Sequence, residues 1–292
     1  MPPPTEAQAS ERRIVMKPTW TSLLVIAALG LSHAGCALFG GGGTDPNNTE
    51  TEQNEPQNNG GGMDVHQFVK APAKLALGPD AAQGQTLTRS FDSSGQTGEL
   101  FLSIVADAGE TWHVEAQNEG LVMMAAAMPD LQGLIIGMVV QKSDGSVTSA
   151  VLGKPGEAGA PIEILAPLPD SAGVDEDVTI GLGTFPATKV ANDAQTMWTG
   201  KGGELDGVLL KLEPTGGDAY ELSEMPSNES VDVGGTAVKA RKYTYSDGRE
   251  VWTTEQAIVA ALNGGLLKMT SENYSVEVTR IGTDATARLH WN

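Results

Sequence analysis

The sequence predicts a mainly β protein: an antiparallel sheet with a few short helices, preceded by an export signal and a disordered tether. Three observations predict it. Short apolar runs bounded by Gly, Asp, Asn and Pro fill the stretch from 63 to 292, the pattern of a chain with many short strands. Asp144-Gly145 and Asp247-Gly248 each separate two such runs, and this dipeptide suits the positive φ that tight hairpin turns demand. Ahead of them lie an apolar segment, Leu23 to Leu31, and a Gly/Asn/Glu-rich segment, residues 37 to 62.

The strands follow in order. Glu99 to Val105 is short and apolar. Thr111 to Ala116 alternates, with Trp112, Val114 and Ala116 on one side and His113 and Glu115 on the other. Leu134 to Lys142 and Ser146 to Leu152 flank the first Asp-Gly, and the former, apolar on both faces, belongs in the middle of a sheet. Lys239 to Ser246 and Arg249 to Thr253 flank the second. A two-residue turn there places Tyr243 opposite Trp252, an aromatic pair on one face. Tyr274 to Ile281 alternates as a half-buried strand.

Helix is scarcer. Thr254 to Leu262 has a capping residue, an Ala-rich interior and Asn263-Gly264 to stop it. Asp64 to Lys70 and Lys189 to Trp198 are two more expected helices, and Met123 to Met128 fits helix or strand. Residues 153 to 177 read as a long irregular connection or an internal boundary. The segments around Trp112 and Trp252 echo one another weakly, as two Trp-bearing strands in a β-rich chain.

The N-terminal segment carries the location. Lys17 supplies a positive start, Leu23 to Leu31 an apolar core too short to span a bilayer comfortably, and Ala34 and Gly35 small residues before Cys36. Ala34-Gly35-Cys36 after an apolar run resembles the lipobox of bacterial lipoproteins, with His33 where Leu is usual. The resemblance implies cleavage between Gly35 and Cys36 and a diacylglyceryl group on the Cys36 thiol. Cys36 is the only Cys in 292 residues, so an exported chain has no internal disulfide to make with it. Residues 1–35 are then the export signal, with Met16 as an alternative start. Arg12-Arg13 with Ile14, Val15 and Lys17 resembles the twin-arginine export motif, apart from Glu11. Residues 36–62 hold the lipidated Cys and a flexible linker reaching about 28 Å, at ~5–6 Å times the square root of its length. Ala37 after the Cys points to the outer membrane rather than retention in the inner one. Residues 63–292 form the globular part.

The whole chain carries a net charge of −19. Removing residues 1 to 35 takes away three bases and two acids and leaves −20. Such a surface repels nucleic acid and anionic head groups, so nucleic acid is not an expected partner. His66, His113 and His290 are dispersed, which argues against zinc. Asp170, Asp175, Glu176 and Asp177 lack the spacing of a calcium loop and read as a solvated acidic loop. No Gly-x-Ser-x-Gly or phosphate-binding Gly motif occurs: Asp92-Ser93-Ser94-Gly95 reads as a turn, and Gly181-Leu182-Gly183 lacks its later Gly. No metal, cofactor or catalytic residue is expected, and the protein is expected not to be an enzyme.

The lipobox, the tether and the Trp-bearing strands together loosely resemble the lipoprotein-carrier superfamily. That resemblance rests on the strands around Trp112, the Asp144-Gly145 hairpin, and the Tyr243/Trp252 hairpin followed by Thr254 to Leu262. It implies a curved sheet or half-barrel closed by helices. The expected role is a non-enzymatic binding or interaction module of the cell envelope, facing the periplasm, with the membrane as one partner and an envelope protein or apolar ligand as another. One alternative is a carrier of acyl chains or other apolar ligands in a half-barrel cavity, with Trp112, Met123, Met124, Met128, Met138, Tyr243 and Trp252 lining it; a second is an unrecognised envelope enzyme. Met adapts to irregular ligands, though the same residues also serve as ordinary core.

Overall fold

The computed structural model describes His66, residues 69–167 and residues 173–291. The export signal, Cys36, the tether, most of the helix expected from Asp64 to Lys70, and Asp170 lie outside the described residues. β1 (Thr86–Ser93), β2 (Gln96–Asp107) and β3 (Thr111–Gln117) form a meander. Helix α1 (Glu119–Ala127) follows, and β4 (Ile135–Gln141), β5 (Val147–Gly153) and the two-residue β6 (Ala160–Pro161) continue it. β7 (Val174–Ile180), β8 (Gly183–Ala191), β9 (Gln195–Gly200), β10 (Leu209–Pro214) and β11 (Tyr220–Glu221) make a second, five-stranded sheet. β12 (Ser227–Val233), β13 (Thr236–Thr244), β14 (Glu250–Thr253), helix α2 (Ala257–Asn263), β15 (Leu266–Ser271) and β16 (Tyr274–Gly282) return to the first.

The first sheet has eleven antiparallel strands in the order β12-β13-β14-β15-β16-β1-β2-β3-β4-β5-β6, curved but not closed. Its two meanders meet where β16 pairs with β1, from Thr86 opposite Gly282 to Ser93 opposite Tyr274. A register shift at Thr88/Arg89 and another at Trp252/Thr253 interrupt the ladders, and such bulges bend and twist a sheet.

Helices α1 and α2 cover one face, here the inner face. Asn118 caps α1 by accepting from Leu121 N at 2.9 Å, and Pro129 follows its end. The Met-rich run from Met123, ambiguous by periodicity, is thereby helical. Leu121 and Ala125, one turn apart, are its buried contacts. Gln256 caps α2 through Val259 N, and Gly264 ends it with φ +57°.

The outer face of β2–β5 is covered by the end of the chain. Leu289 packs with Phe101 and Ile135, flanked by Val151 and Trp291. The Trp291 ring stacks on His113 with centroids 4.4 Å apart. Beneath them Glu115 is fully buried, and its carboxylate accepts from Arg288 N at 3.0 Å, Leu289 N at 2.9 Å and Trp291 Nε1 at 3.0 Å. Three N–H donors offset the desolvation of that charge. Gly137 on the neighbouring β4 leaves the room: a Cβ there would stand 2.8 Å from Leu289 Cδ1.

The second sheet shares a core with the hairpin β13–β14. Val178, Ile180, Ala187, Trp198 and Leu210 meet Tyr243, Tyr245, Val251 and Leu266. Two expectations are corrected here. Asp175, Glu176 and Asp177 lie on strand β7, not in a loop, and Lys189 to Trp198 is not a helix but the end of β8, a turn and β9. The Asn192 side chain accepts from Ala194 N and Gln195 N, each at 2.9 Å, which makes the turn. A third correction concerns the Asp247-Gly248 hairpin. Tyr245 pairs with Arg249 across three loop residues, so Tyr243 faces Val251 and Lys242 faces Trp252. One residue of slip puts Tyr243 and Trp252 on opposite faces. Gly248, with φ +81°, supplies the left-handed position of such a three-residue loop.

The Trp echo also has a different partner from the one expected. Glu176 stands opposite Ala187 and Lys189 opposite Trp198; Glu229 stands opposite Ala240 and Lys242 opposite Trp252. Trp198 then faces Lys211, and Trp252 faces Lys268. Trp198 Nε1 donates to Glu176 at 2.7 Å and Trp252 Nε1 to Glu229 at 2.8 Å. In sequence, Glu176-Asp177-Val178-Thr179-Ile180-Gly181 matches Glu229-Ser230-Val231-Asp232-Val233-Gly234, and Leu209-Leu210-Lys211 matches Leu266-Leu267-Lys268. Strands β7–β10 and β12–β15 are two copies of one Glu-Lys-Trp-Lys unit.

The latch at Glu115 generates a prediction. Replacing Glu115 by Ala strands the buried Leu289 N–H and two partly buried donors, so a loss of about 1–3 kcal/mol or more is expected in urea unfolding. The Leu289 amide should also exchange hydrogen much faster than in the parent. Unchanged protection of Leu289 would contradict the latch.

Candidate functional site

The inner face at β1 and β16 carries the chemistry that the core alone does not explain. Leu87, Arg89 and Phe91 alternate along β1, and all three point to the helix-covered side. Leu87 joins the large core with Val259 and Leu262 of α2, and Phe91 packs with Val122 and Met123 of α1. Arg89 therefore occupies an apolar slot. It pairs with Leu100 of β2 and Val278 of β16 along the backbone. Its Nη1 donates to Asn263 Oδ1, at the end of α2, at 3.2 Å. Asn263 in turn donates to Leu266 O at 2.7 Å, which holds its oxygen towards Arg89. The Arg89 Nε is buried and has no acceptor.

Two further groups complete the cluster. Tyr274 of β16 donates its hydroxyl to Glu119 Oε2 at 3.2 Å, joining the last strand to the first turn of α1. Burial holds the Arg89 guanidinium below its ordinary value, opposed by its electrostatic interaction with Tyr274 and then Glu119. Burial, then the charge and hydrogen bond of Glu119, push the Tyr274 phenol up. Tyr274 is thus a neutral donor at any working pH, while Arg89 stays a cation.

The expected lining residues fall into three clusters. Met138 and Trp252 are buried in the large core, and Trp112, Met124 and Met128 pack against it. Met123 belongs to the smaller cluster of Phe91, Leu100 and Val276 beside Arg89. Tyr243 lies under the second sheet. Lys142 Nζ sits 3.8 Å above the Trp112 ring and 2.5 Å from Asp107. Lys242 and Lys268 flank Trp252 at 5.1 and 5.5 Å.

The acidic residues form a different feature. Asp175, Glu176 and Asp177 line an open groove of about 350 Å³ with Pro186, Ala187 and Lys201. Each of the first two has an internal partner. The Lys201 side chain and then the Thr188 hydroxyl hold the Asp175 carboxyl below its usual range, and the Trp198 indole does the same for Glu176. Among the described residues no group of three His, Cys, Asp or Glu side chains could hold a metal ion, and no helix is long and apolar enough to cross a membrane.

Arg89, Glu119, Asn263 and Tyr274 are the residues that sequence reasoning passed over. One signal marked the first: in Leu87-Thr88-Arg89-Ser90-Phe91, Arg89 stands where the alternation calls for an apolar side chain.

No family model matches the sequence, and no characterised protein matches it either. Among solved structures, a DUF1329 family protein from Desulfovibrio piger aligns with a TM-score of 0.26 and 8% identity, over 71% of this chain and 89% of that one. MucB of Pseudomonas aeruginosa, in complex with MucA, aligns with a TM-score of 0.19 and 11% identity, over 69% and 88%. A second structure of MucB, with periplasmic MucA, gives 0.17 and 9%, over 68% and 87%. At these TM-scores the likeness assigns neither fold nor function.

The seat of α1 is testable. A Cβ on Gly98 would stand 2.4 Å from Val122 Cγ1 and 2.7 Å from Phe91 Cε1. Gly98→Ala should lift α1 from β2, cost about 1–3 kcal/mol by overpacking, and shift the Met123 and Met124 methyl resonances. Unmoved methyl resonances would contradict this docking.

Proposed function

We propose that the chain is a non-enzymatic binding module of the bacterial envelope, lipid-anchored at Cys36, that holds an apolar ligand between helix α1 and the inner face of its curved sheet. One observation carries the ligand: α1 has no polar side. After Glu119 every residue to Ala127 is Gly, Leu, Val, Met or Ala. A surface helix ordinarily shows water a charged face, and a helix apolar all round is ordinarily buried. Here only Leu121 and Ala125 are buried, Val122, Met123 and Met124 are half-buried, and Ala126 and Ala127 are exposed. An apolar helix with flexible Met side chains at its rim suits a cover that yields to a hydrophobic guest.

The envelope location rests on the Leu23–Leu31 segment and Ala34-Gly35-Cys36, with Ala37 favouring the outer membrane. The same apolar helix also suits a second reading, an interaction module whose α1 docks on an envelope protein.

Organic extraction of the protein from the exporting cell, followed by mass spectrometry, separates the two. A stoichiometric apolar species is expected; an empty extract contradicts the ligand reading and leaves the docking one. For the anchor, Cys36→Ser should move the protein from the membrane to the soluble fraction with loss of lipid label. A variant that stays with the membrane would overturn lipidation.

A further inference from the structure

We propose that Arg89 is the head-group site of this ligand and selects a single-chain amphiphile with an anionic head, a carboxylate or a phosphate. The inference rests on the apolar-ligand reading above and adds what that ligand must carry.

A guanidinium has five N–H groups in a planar fork. The structure gives Arg89 one acceptor, Asn263 Oδ1 on Nη1. Its Nε is buried without an acceptor, while the side chain as a whole is half-buried. Nε and Nη2 form one edge of the fork, and that edge matches the two oxygens of a carboxylate or phosphate. A guanidinium kept only for structure is expected to be paired, because a charge taken out of water without partners is destabilising. The Glu119 carboxylate favours the Arg89 charge and already accepts from the Tyr274 hydroxyl.

The surroundings supply the rest of an amphiphile site. On one side of Arg89 lie Phe91, Leu100 and Val276, edged by Met123 and Met269. The apolar tail would enter along this side, where Val122 and Met123 of α1 now pack on Phe91 and must yield to admit it, while its head meets the free edge of the fork. Several other cations are engaged: Arg241 with Glu204, Arg249 with Asp247, Lys242 with Glu250, Lys268 with Glu277. Arg288 lies over the Phe101 ring on the outer face. Unlike these, Arg89 has a buried donor with no acceptor, beside an apolar cluster.

The test uses the full exported chain carrying Cys36→Ser, titrated calorimetrically with oleate, oleoyl lysophosphatidate and oleyl alcohol, each below its aggregation concentration. One at least of the two anions should bind about tenfold or more tighter than the alcohol, as charge-assisted bidentate hydrogen bonds imply. Tighter oleate identifies a fatty-acid carboxylate as the head, and tighter lysophosphatidate a phospholipid phosphate. Arg89→Met should erase the preference while leaving alcohol affinity within about twofold. Glu119→Gln, which removes a competing charge and keeps an acceptor for Tyr274, should tighten the anions and not the alcohol. It serves as the test if Arg89→Met fails to fold. Equal binding of all three probes, or a preference that survives Arg89→Met, overturns the head-group site alone. Binding of none overturns the apolar-ligand reading with it.

Discussion

The pairing of β16 with β1 is the constraint on which everything else depends. It joins the two meanders into one sheet, and every contact that shapes the site spans a large separation in sequence. Arg89 reaches Asn263, Glu119 reaches Tyr274, and Glu115 reaches Arg288 and Leu289. None of these exists until the last strand lies beside the first. Both β1 neighbours are needed to define the slot of Arg89, since its opposite residues are Leu100 on one side and Val278 on the other. A chain dominated by such distant pairings pays loop-closure entropy before its contacts form, and slow folding follows.

An open sheet has two faces to cover, and the chain treats them differently. The outer face of β2–β5 is sealed by specific, satisfied polar contacts to the Glu115 carboxylate. The inner face is covered over β1 and β2 by two short helices and over β13 and β14, at Tyr243 and Val251, by the β7–β11 sheet. α2 is fixed by Val259 and Leu262 in the large core. α1 is held by two buried side chains and by the Asn118 cap, and it lies beside Arg89, whose buried Nε has no acceptor. An unsatisfied guanidinium and a water-facing apolar helix are each unfavourable in an empty protein. Their coincidence at one place is what a site that trades stability for binding looks like.

Much of this fold was legible in the residues. The short apolar run at Glu99 to Val105 and the period-2 runs at Thr111 to Ala116 and Tyr274 to Ile281 are strands, and the stretch ended by Asn263-Gly264 is a helix. The strands of the second sheet were not legible, for a physical reason. β7 is an edge strand with a solvated acidic face, Val174 to Asp177 being exposed, and an edge needs no apolar alternation to stay in a sheet. Lys189 to Trp198 contains helix-compatible residues, and only the Asn192 side chain, bonding its own turn, decides against helix. The Tyr243/Trp252 pair failed because Asp-Gly served a three-residue loop rather than a two-residue one. The repeat was readable in the Glu-x-Val-x-Ile/Val-Gly and Leu-Leu-Lys strings, but Trp112 drew attention to the wrong pair. At the site, Arg89 was visible as a charge in an apolar slot. Its partners were not, because only the β16–β1 pairing brings them near.

The most direct test is to observe the Arg89 side chain itself. In a protein labelled with nitrogen-15 arginine, the Nε–Hε resonance of Arg89 can be assigned by its loss in Arg89→Lys and followed during addition of oleate or oleoyl lysophosphatidate. The account predicts a slowly exchanging Hε in the free protein, as burial requires, that shifts downfield when one of these anions binds and does not move with oleyl alcohol. An Arg89 Hε that exchanges as fast as those of exposed arginines, or that ignores both anions while they bind, would contradict it.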